Sequence, residues 1–262
     1  MRVTAIINLK GGVAKTTTTI NMAAILARTG YRVLLIDADS QCNCTEFFGA
    51  DESYGNLAGI LRIDPMRHPN PYGFAAGCIQ RTAYDRLDIL PGEDSLMDLD
   101  LSKVESGNIS INIIRRMLEN LSSNYDFCLV DCPPAFNAAS AAALVAADDV
   151  IIPIKLDAFS LRGMGNMMRQ ILNMQRINPR LRVAGVLPTM WYRAEQIKAS
   201  EEELRKSGLN VYPHIRRSDR VDDMTYRQEP LLITSPNSAA GVDYRRFVAA
   251  YVAQESNGQY HI

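Results

Sequence analysis

Lys10, Gly11, Gly12, Lys15 and Thr16 fall together in the stretch NLKGGVAKTTT (residues 8–18), and these residue types in this order can hold phosphate. Phosphate oxygens need several converging backbone N–H groups, which a glycine-rich turn running into a helix N-terminus supplies. Lys15 would reach the terminal phosphates of a nucleotide, and the Thr16 hydroxyl would ligate magnesium. Val13, Ala14 and Thr17 belong to the same turn. The match to the phosphate-loop pattern GxxxxGK[ST] is incomplete, because its two glycines would fall at Leu9 and Ala14. If position 14 needs a positive φ, alanine costs about 1–2 kcal/mol there, which weakens affinity without abolishing it.

Two acidic sets follow downstream. Asp37 and Asp39 stand at alternate positions in LLIDADSQCN (34–43), at the strand end where open α/β sheets keep their ligands. Asp37 reads equally as a metal carboxylate and as a structural one bonded to Thr16 or nearby amides. Asp131 ends the apolar run FCLVD (127–131), a position from which a carboxylate holds magnesium through water.

The elements that must carry these residues alternate along the chain. Strands are expected at 3–8, 31–39, 87–92, 126–131, 149–155, 182–189 and, briefly, 210–213, from short β-branched apolar runs. Helices are expected at 15–28, 108–122, 137–147, 160–176, 194–207 and 239–254, the first ending at Gly30. Residues 51–86 read as irregular, broken by Pro65, Pro69 and Pro71. Strand–helix–strand repetition implies a doubly wound, mostly parallel α/β sheet with helices on both faces. We expect a single domain over 1–262, with 255–262 as a flexible tail.

Of the 262 residues, 22% are charged and 47% hydrophobic, a composition that can bury a large core. No leader pattern opens the chain and no run approaches the ~20 apolar residues of a membrane span, so a cytoplasmic protein without a membrane role is expected. Five cysteines and three histidines without CxxC spacing argue against a zinc site. Cys128 and Cys132 read as small buried side chains, as do Cys42 and Cys44, although a redox role beside the acidic motif is the alternative for the latter two. The net charge of −1 hides an uneven distribution. Residues 1–161 carry 13 Lys and Arg against 19 Asp and Glu, whereas 162–220 carry 12 against 5. A basic third on an acidic chain suits a polyanion-binding face, and charge alone fits an ordinary solvated surface equally well.

The sequence KGGVAKT resembles the deviant Walker A motif KGGxxK[ST] of the ParA/MinD family of P-loop ATPases. DADSQ resembles that family's D-x-D-P-Q, with Ser40 in place of proline, and DCPP (131–134) resembles its switch region. VAADDVIIPIKLDAFSLRGM (145–164), GVLPTMWYR and PNSAAGVDYRRF extend the similarity over nearly the whole chain. The resemblance implies an ATPase using ATP and magnesium, with Lys10 reaching the partner's nucleotide across an ATP-bound homodimer and Asp39 orienting the attacking water. It also implies that Pro213 approaches the adenine or the dimer edge. Among subtypes, the small ParA/Soj proteins fit best. They imply non-specific DNA binding, here by Arg193, Arg216, Arg217 and Arg220, and a ParB-like centromere-binding partner. A metabolic or regulatory P-loop ATPase of the same fold is the alternative.

Overall fold

Seven strands form one sheet in the computed structural model, which describes residues 1–105 and 109–258. They are β1 (Arg2–Ile6), β2 (Val33–Asp37), β3 (Gln80–Arg81), β4 (Leu87–Leu90), β5 (Phe127–Asp131), β6 (Asp149–Lys155) and β7 (Arg182–Thr189). Their spatial order is β3-β4-β2-β5-β1-β6-β7, and only the edge pair β3–β4 is antiparallel. β2 and β5 are buried at every position, as central strands covered on both faces must be.

Alternate side chains of each strand feed two cores. Val33, Leu35 and Leu129 face α1 (Lys15–Arg28) and α2 (Asn43–Phe47). Leu34, Ile36 and Val130 face the opposite layer. That layer holds α3 (Leu57–Leu61), α4 (Pro71–Gly77), α5 (Leu101–Glu105), α6 (Ile113–Asn120), α7 (Ala138–Ala146), α8 (Ala158–Gln175) and α9 (Glu195–Arg205). The chain then returns to the first face with α10 (Arg220–Arg227), α11 (Leu231–Thr234) and α12 (Ala239–Gly258). This is the doubly wound fold expected, with helices on both faces.

Four differences from the sequence reading have physical causes. Residues 210–213 make no strand. They run beside β7 through the isolated bridge Val186–Val211, a second bridge joining Trp191 to Arg216 further on, and Pro213 has no N–H to extend a ladder. Residues 51–86 contain two short helices, each started by an asparagine cap. Asn56 accepts from Gly59 N at 2.9 Å and Asn70 from Gly73 N at 3.1 Å, and Pro71 takes the first helical turn, where its missing N–H costs nothing. α10 and α11 occupy a stretch for which no element was expected. The last helix runs to Gly258, so 255–258 are helical rather than tail; 259–262 lie outside the described residues, as does residue 108.

Candidate functional site

β1 delivers the chain into the glycine turn, and Asn8 fixes the exit. Its Nδ2 donates to the Pro153 carbonyl at 2.7 Å and its Oδ1 accepts from Lys10 N at 3.0 Å. Gly12 has φ 66° and Ala14 φ 63°, ψ 37°, so alanine does occupy a left-handed position here. Left-handed residues of this kind in a turn are what an anion nest is built with, its successive N–H groups facing a common point. No side chain caps the N-terminus of α1, and a Cβ built on Gly11 or Gly12 would meet nothing within 4 Å. The amides therefore open onto space that a phosphate chain fits. Val13 is buried beneath, its carbonyl accepting from Thr189 Oγ1 at 3.1 Å.

Lys15 is only 7% exposed, and its Nζ lies 3.5 Å from the Lys10 carbonyl. Burial lowers its pKa, opposed by the nearby Asp131 and Asp39 charges. Thr16 Oγ1 donates to Asp131 Oδ2 at 2.6 Å, and Thr19 Oγ1 to Asp131 Oδ1 at 3.0 Å. Asp131 stands in register with Asp37 across β5 and β2. Asp37 accepts from the amide and the hydroxyl of Thr45, both at 2.8 Å, and from Asp39 N at 3.3 Å. Its hydrogen bonds thus come from Thr45 and Asp39 rather than Thr16. Burial, reinforced by the facing Asp131, lifts Asp37 to about 7. Burial likewise lifts Asp131 to about 6. Two inward carboxylates and a threonine hydroxyl at a helix N-terminus form an oxygen donor set that suits a hard divalent cation.

Asp39 is buried nearby, its Oδ1 accepting from Gln41 N at 3.1 Å. Lys10 points elsewhere: its Nζ bonds both carboxylate oxygens of Asp157, at 2.9 and 2.7 Å, just beyond β6. Thr17 and Ala14 open onto a cleft of about 460 Å³ lined also by Thr189, Tyr192, Ile215 and Arg217. Pro213 does not line it. It faces a separate cleft with Glu201, Arg205 and His214, because the extended segment beside β7 reaches the Ala14 cleft only from Ile215 onward.

The four arginines do not behave alike. Arg193 and Arg217 are exposed, and Arg217 N donates at 2.8 Å to the carbonyl of Trp191, two residues before Arg193. Arg216 instead grips Asp243 of α12, Nε to Oδ2 at 2.7 Å and Nη2 to Oδ1 at 2.8 Å. Asp243 is 4% exposed, so Arg216 compensates a buried charge within the chain. Arg220 pairs with Asp223 at 2.7 Å on the surface of α10, an exposed pair that phosphate can compete for.

Several contributors are invisible in the motifs. Thr45 serves Asp37, and Gly92 N donates to Thr45 Oγ1 at 2.9 Å. A Cβ on Gly92 would approach the Asp37 carbonyl oxygen to 2.9 Å, so glycine is required there. The proline–glycine pair ending LDILPG was the available signal, but a turn alone does not say what approaches it.

A family described as the AAA domain matches residues 1–183. The chromosome partitioning protein ParA of Caulobacter vibrioides is 32% identical, over 99% of this chain and 97% of its own. The sporulation initiation inhibitor protein Soj of Bacillus subtilis is 29% identical, over 93% of this chain and 95% of its own. A solved structure of cobyrinic acid a,c-diamide synthase from Mycobacterium smegmatis, with bound ADP and magnesium, superposes with a TM-score of 0.79. It is 28% identical and covers 98% of this chain and 96% of that one. Among the described residues, no helix is long and apolar enough to cross a membrane.

Proposed function

The chain belongs to the ParA/Soj family of P-loop ATPases, and from that membership we propose that it is a DNA-partition ATPase acting as one unit over 1–262. In this reading ATP joins two copies into a dimer, the dimer holds DNA without regard to sequence, and hydrolysis stimulated by a ParB-like partner releases it. The protein would work in the cytoplasm, on the nucleoid.

The observation that carries the ATPase reading is the junction of turn and helix. Uncapped amides, a buried Lys15 and Thr16 bonded to Asp131 converge at the start of α1. The amides of 11–17 and Lys15 would bind the phosphates, and the ammonium offsets charge that develops on them. Thr16, with Asp131 and Asp37 behind it, would hold magnesium, which when bound draws charge from the phosphate oxygens. Asp39 would accept a hydrogen bond from the attacking water and fix its line of approach. Lys10 would serve the partner's nucleotide once it leaves Asp157. Arg193, Arg217 and Arg220 would meet DNA phosphates, contacts that carry no base information.

Mobility shift of DNA without nucleotide, with ADP and with ATP, at two salt concentrations, tests the proposal. Binding should appear with ATP alone and fall steeply with salt, since each neutralised phosphate adds about 0.9 to the log–log slope. Arg193→Glu and Arg217→Glu should weaken binding equally on unrelated sequences, while Arg216→Glu should instead lower stability. Wild-type protein that ignores DNA with ATP at low salt would remove the partition reading. The metabolic alternative, favoured by the name of the 28%-identical mycobacterial structure, would then lead.

A further inference from the structure

Cys44 stands where the acidic pair turns inward, and it changes what that pair can bind. Asp37 on β2, Cys44 on α2 and Asp131 on β5 are fully enclosed, each with 0% exposure. One ligand atom from each lies within 4.8 Å of the others, and the thiol sits 3.6 Å from Asp131 Oδ2. Every hydrogen bond to the two carboxylates comes from an uncharged hydroxyl, amide or thiol. Lys15 acts on Asp131 only through its charge. Two carboxylates in register, without a bonded cation between them, leave negative charge that an ion could neutralise at short range.

Magnesium takes hard oxygen donors in octahedral geometry and usually keeps several waters. A thiolate selects softer ions, and a set of one sulfur and two carboxylates can fill three positions of a tetrahedral site. We propose that in the nucleotide-free chain Asp37, Cys44 and Asp131 bind one thiophilic divalent ion of the zinc, cadmium or cobalt class, with Thr16 Oγ1 or a water as the fourth donor. On binding, the Cys44 S–H bond breaks, its electron pair forms the sulfur–metal bond and the proton leaves to buffer. No oxidant or reductant takes part. The ion takes Asp131 Oδ2 from its hydrogen bond with Thr16, so it competes with the magnesium–nucleotide arrangement. The ion site stands on the three side chains themselves, and only its competition with nucleotide rests on the proposed function.

Reduced, nucleotide-free full chain titrated with cadmium chloride should develop the near-ultraviolet thiolate-to-cadmium absorption band, saturating at one ion per chain. Cys42→Ser should keep the band. Cys44→Ser should lose it, and its cadmium affinity should fall by more than the roughly 100-fold that loss of an outer-shell partner costs at metal sites. Circular dichroism establishes that this variant is folded. Cobalt provides a second reading that needs no variant: sulfur-to-cobalt charge transfer together with the intense visible bands of a tetrahedral ion. Absence of both spectra in the wild-type chain, or a full band in folded Cys44→Ser, overturns the site. Adding magnesium and ATP to the loaded chain should release cadmium to a chromophoric chelator. ATP that binds by calorimetry while cadmium stays bound overturns the shared position but not the ATPase reading. Failure of ATP to bind the metal-free chain overturns the ATPase reading and leaves the ion site standing.

Discussion

Ala14 holds φ 63°, ψ 37° at the head of α1, a conformation in which its Cβ crowds the following carbonyl. Ala14→Gly removes that strain and returns part of the gain as chain entropy. A net rise of about 0.5–1 kcal/mol should appear as a higher urea midpoint at unchanged slope; a lower midpoint would mean that the alanine is unstrained. Asp37 supplies a second test, through pH. Its folded pKa is about 7 and that of Asp131 about 6, both above the ordinary aspartate value of 3.8. The folded state therefore binds more protons than the unfolded one between about pH 4 and about pH 7, and stability falls as pH rises through that window. Melting temperatures of the nucleotide-free protein should decline from pH 5 to pH 8, and Asp37→Asn should flatten the decline. An equally steep decline in the variant would contradict the assignment. Lys15, Thr16 and Asp131 were legible because their meaning depends on local order: strand, turn, helix. Thr45 and Gly92 were not, since their roles depend on β4 and α2 meeting over Asp37, which no local pattern records.

At the scale of elements, the parallel strands announced themselves as apolar runs, and their order along the chain dictated the doubly wound sheet. The return segment after residue 217 did not. α10 and α11 bury only Met224 and Leu231, too few apolar positions to set up a helical period. Long-range bonds hold them instead. Asn21, fully buried on α1, accepts from Leu231 N at 3.0 Å and donates to Met224 Sδ at 3.2 Å, while also bonding the Thr17 carbonyl at 2.8 Å. One side chain thus ties the P-loop helix to the segment that closes over it. Asn21→Ala leaves the Leu231 N–H buried without a partner, a loss of about 1–3 kcal/mol. Amide exchange should accelerate across 224–234 while the central strands stay protected. Uniform acceleration over the whole chain would instead make Asn21 a global core residue.

The chain carries an acidic body and a basic third, and under the proposed function assembly depends on where Lys10 points. Lys10 is held within its own chain by Asp157, the pair being 37% and 31% exposed. By the proposed function, the same ammonium must reach the partner's nucleotide in the ATP dimer. The two contacts cannot coexist at full strength, so Asp157 biases the equilibrium towards the monomer by whatever the cis pair contributes. A residue shifts such an equilibrium only by its difference between the two states. A half-exposed ion pair contributes up to about 1 kcal/mol, and a homodimer opens two of them, so the bias reaches about 2 kcal/mol, or roughly 30-fold in the dimer constant. Asp157→Asn should therefore tighten ATP-dependent dimerisation by up to roughly 30-fold in sedimentation equilibrium with a non-hydrolysed analogue, with the DNA shift moving to lower protein concentration. Lys10→Ala should stay monomeric whether or not Asp157 is replaced, because the group being released is gone. If Asp157→Asn alone weakens the dimer, Asp157 supports the interface rather than opposing it. If it leaves the dimer unchanged, the lysine exchanges between its two partners without net bias, and control of assembly lies with the nucleotide.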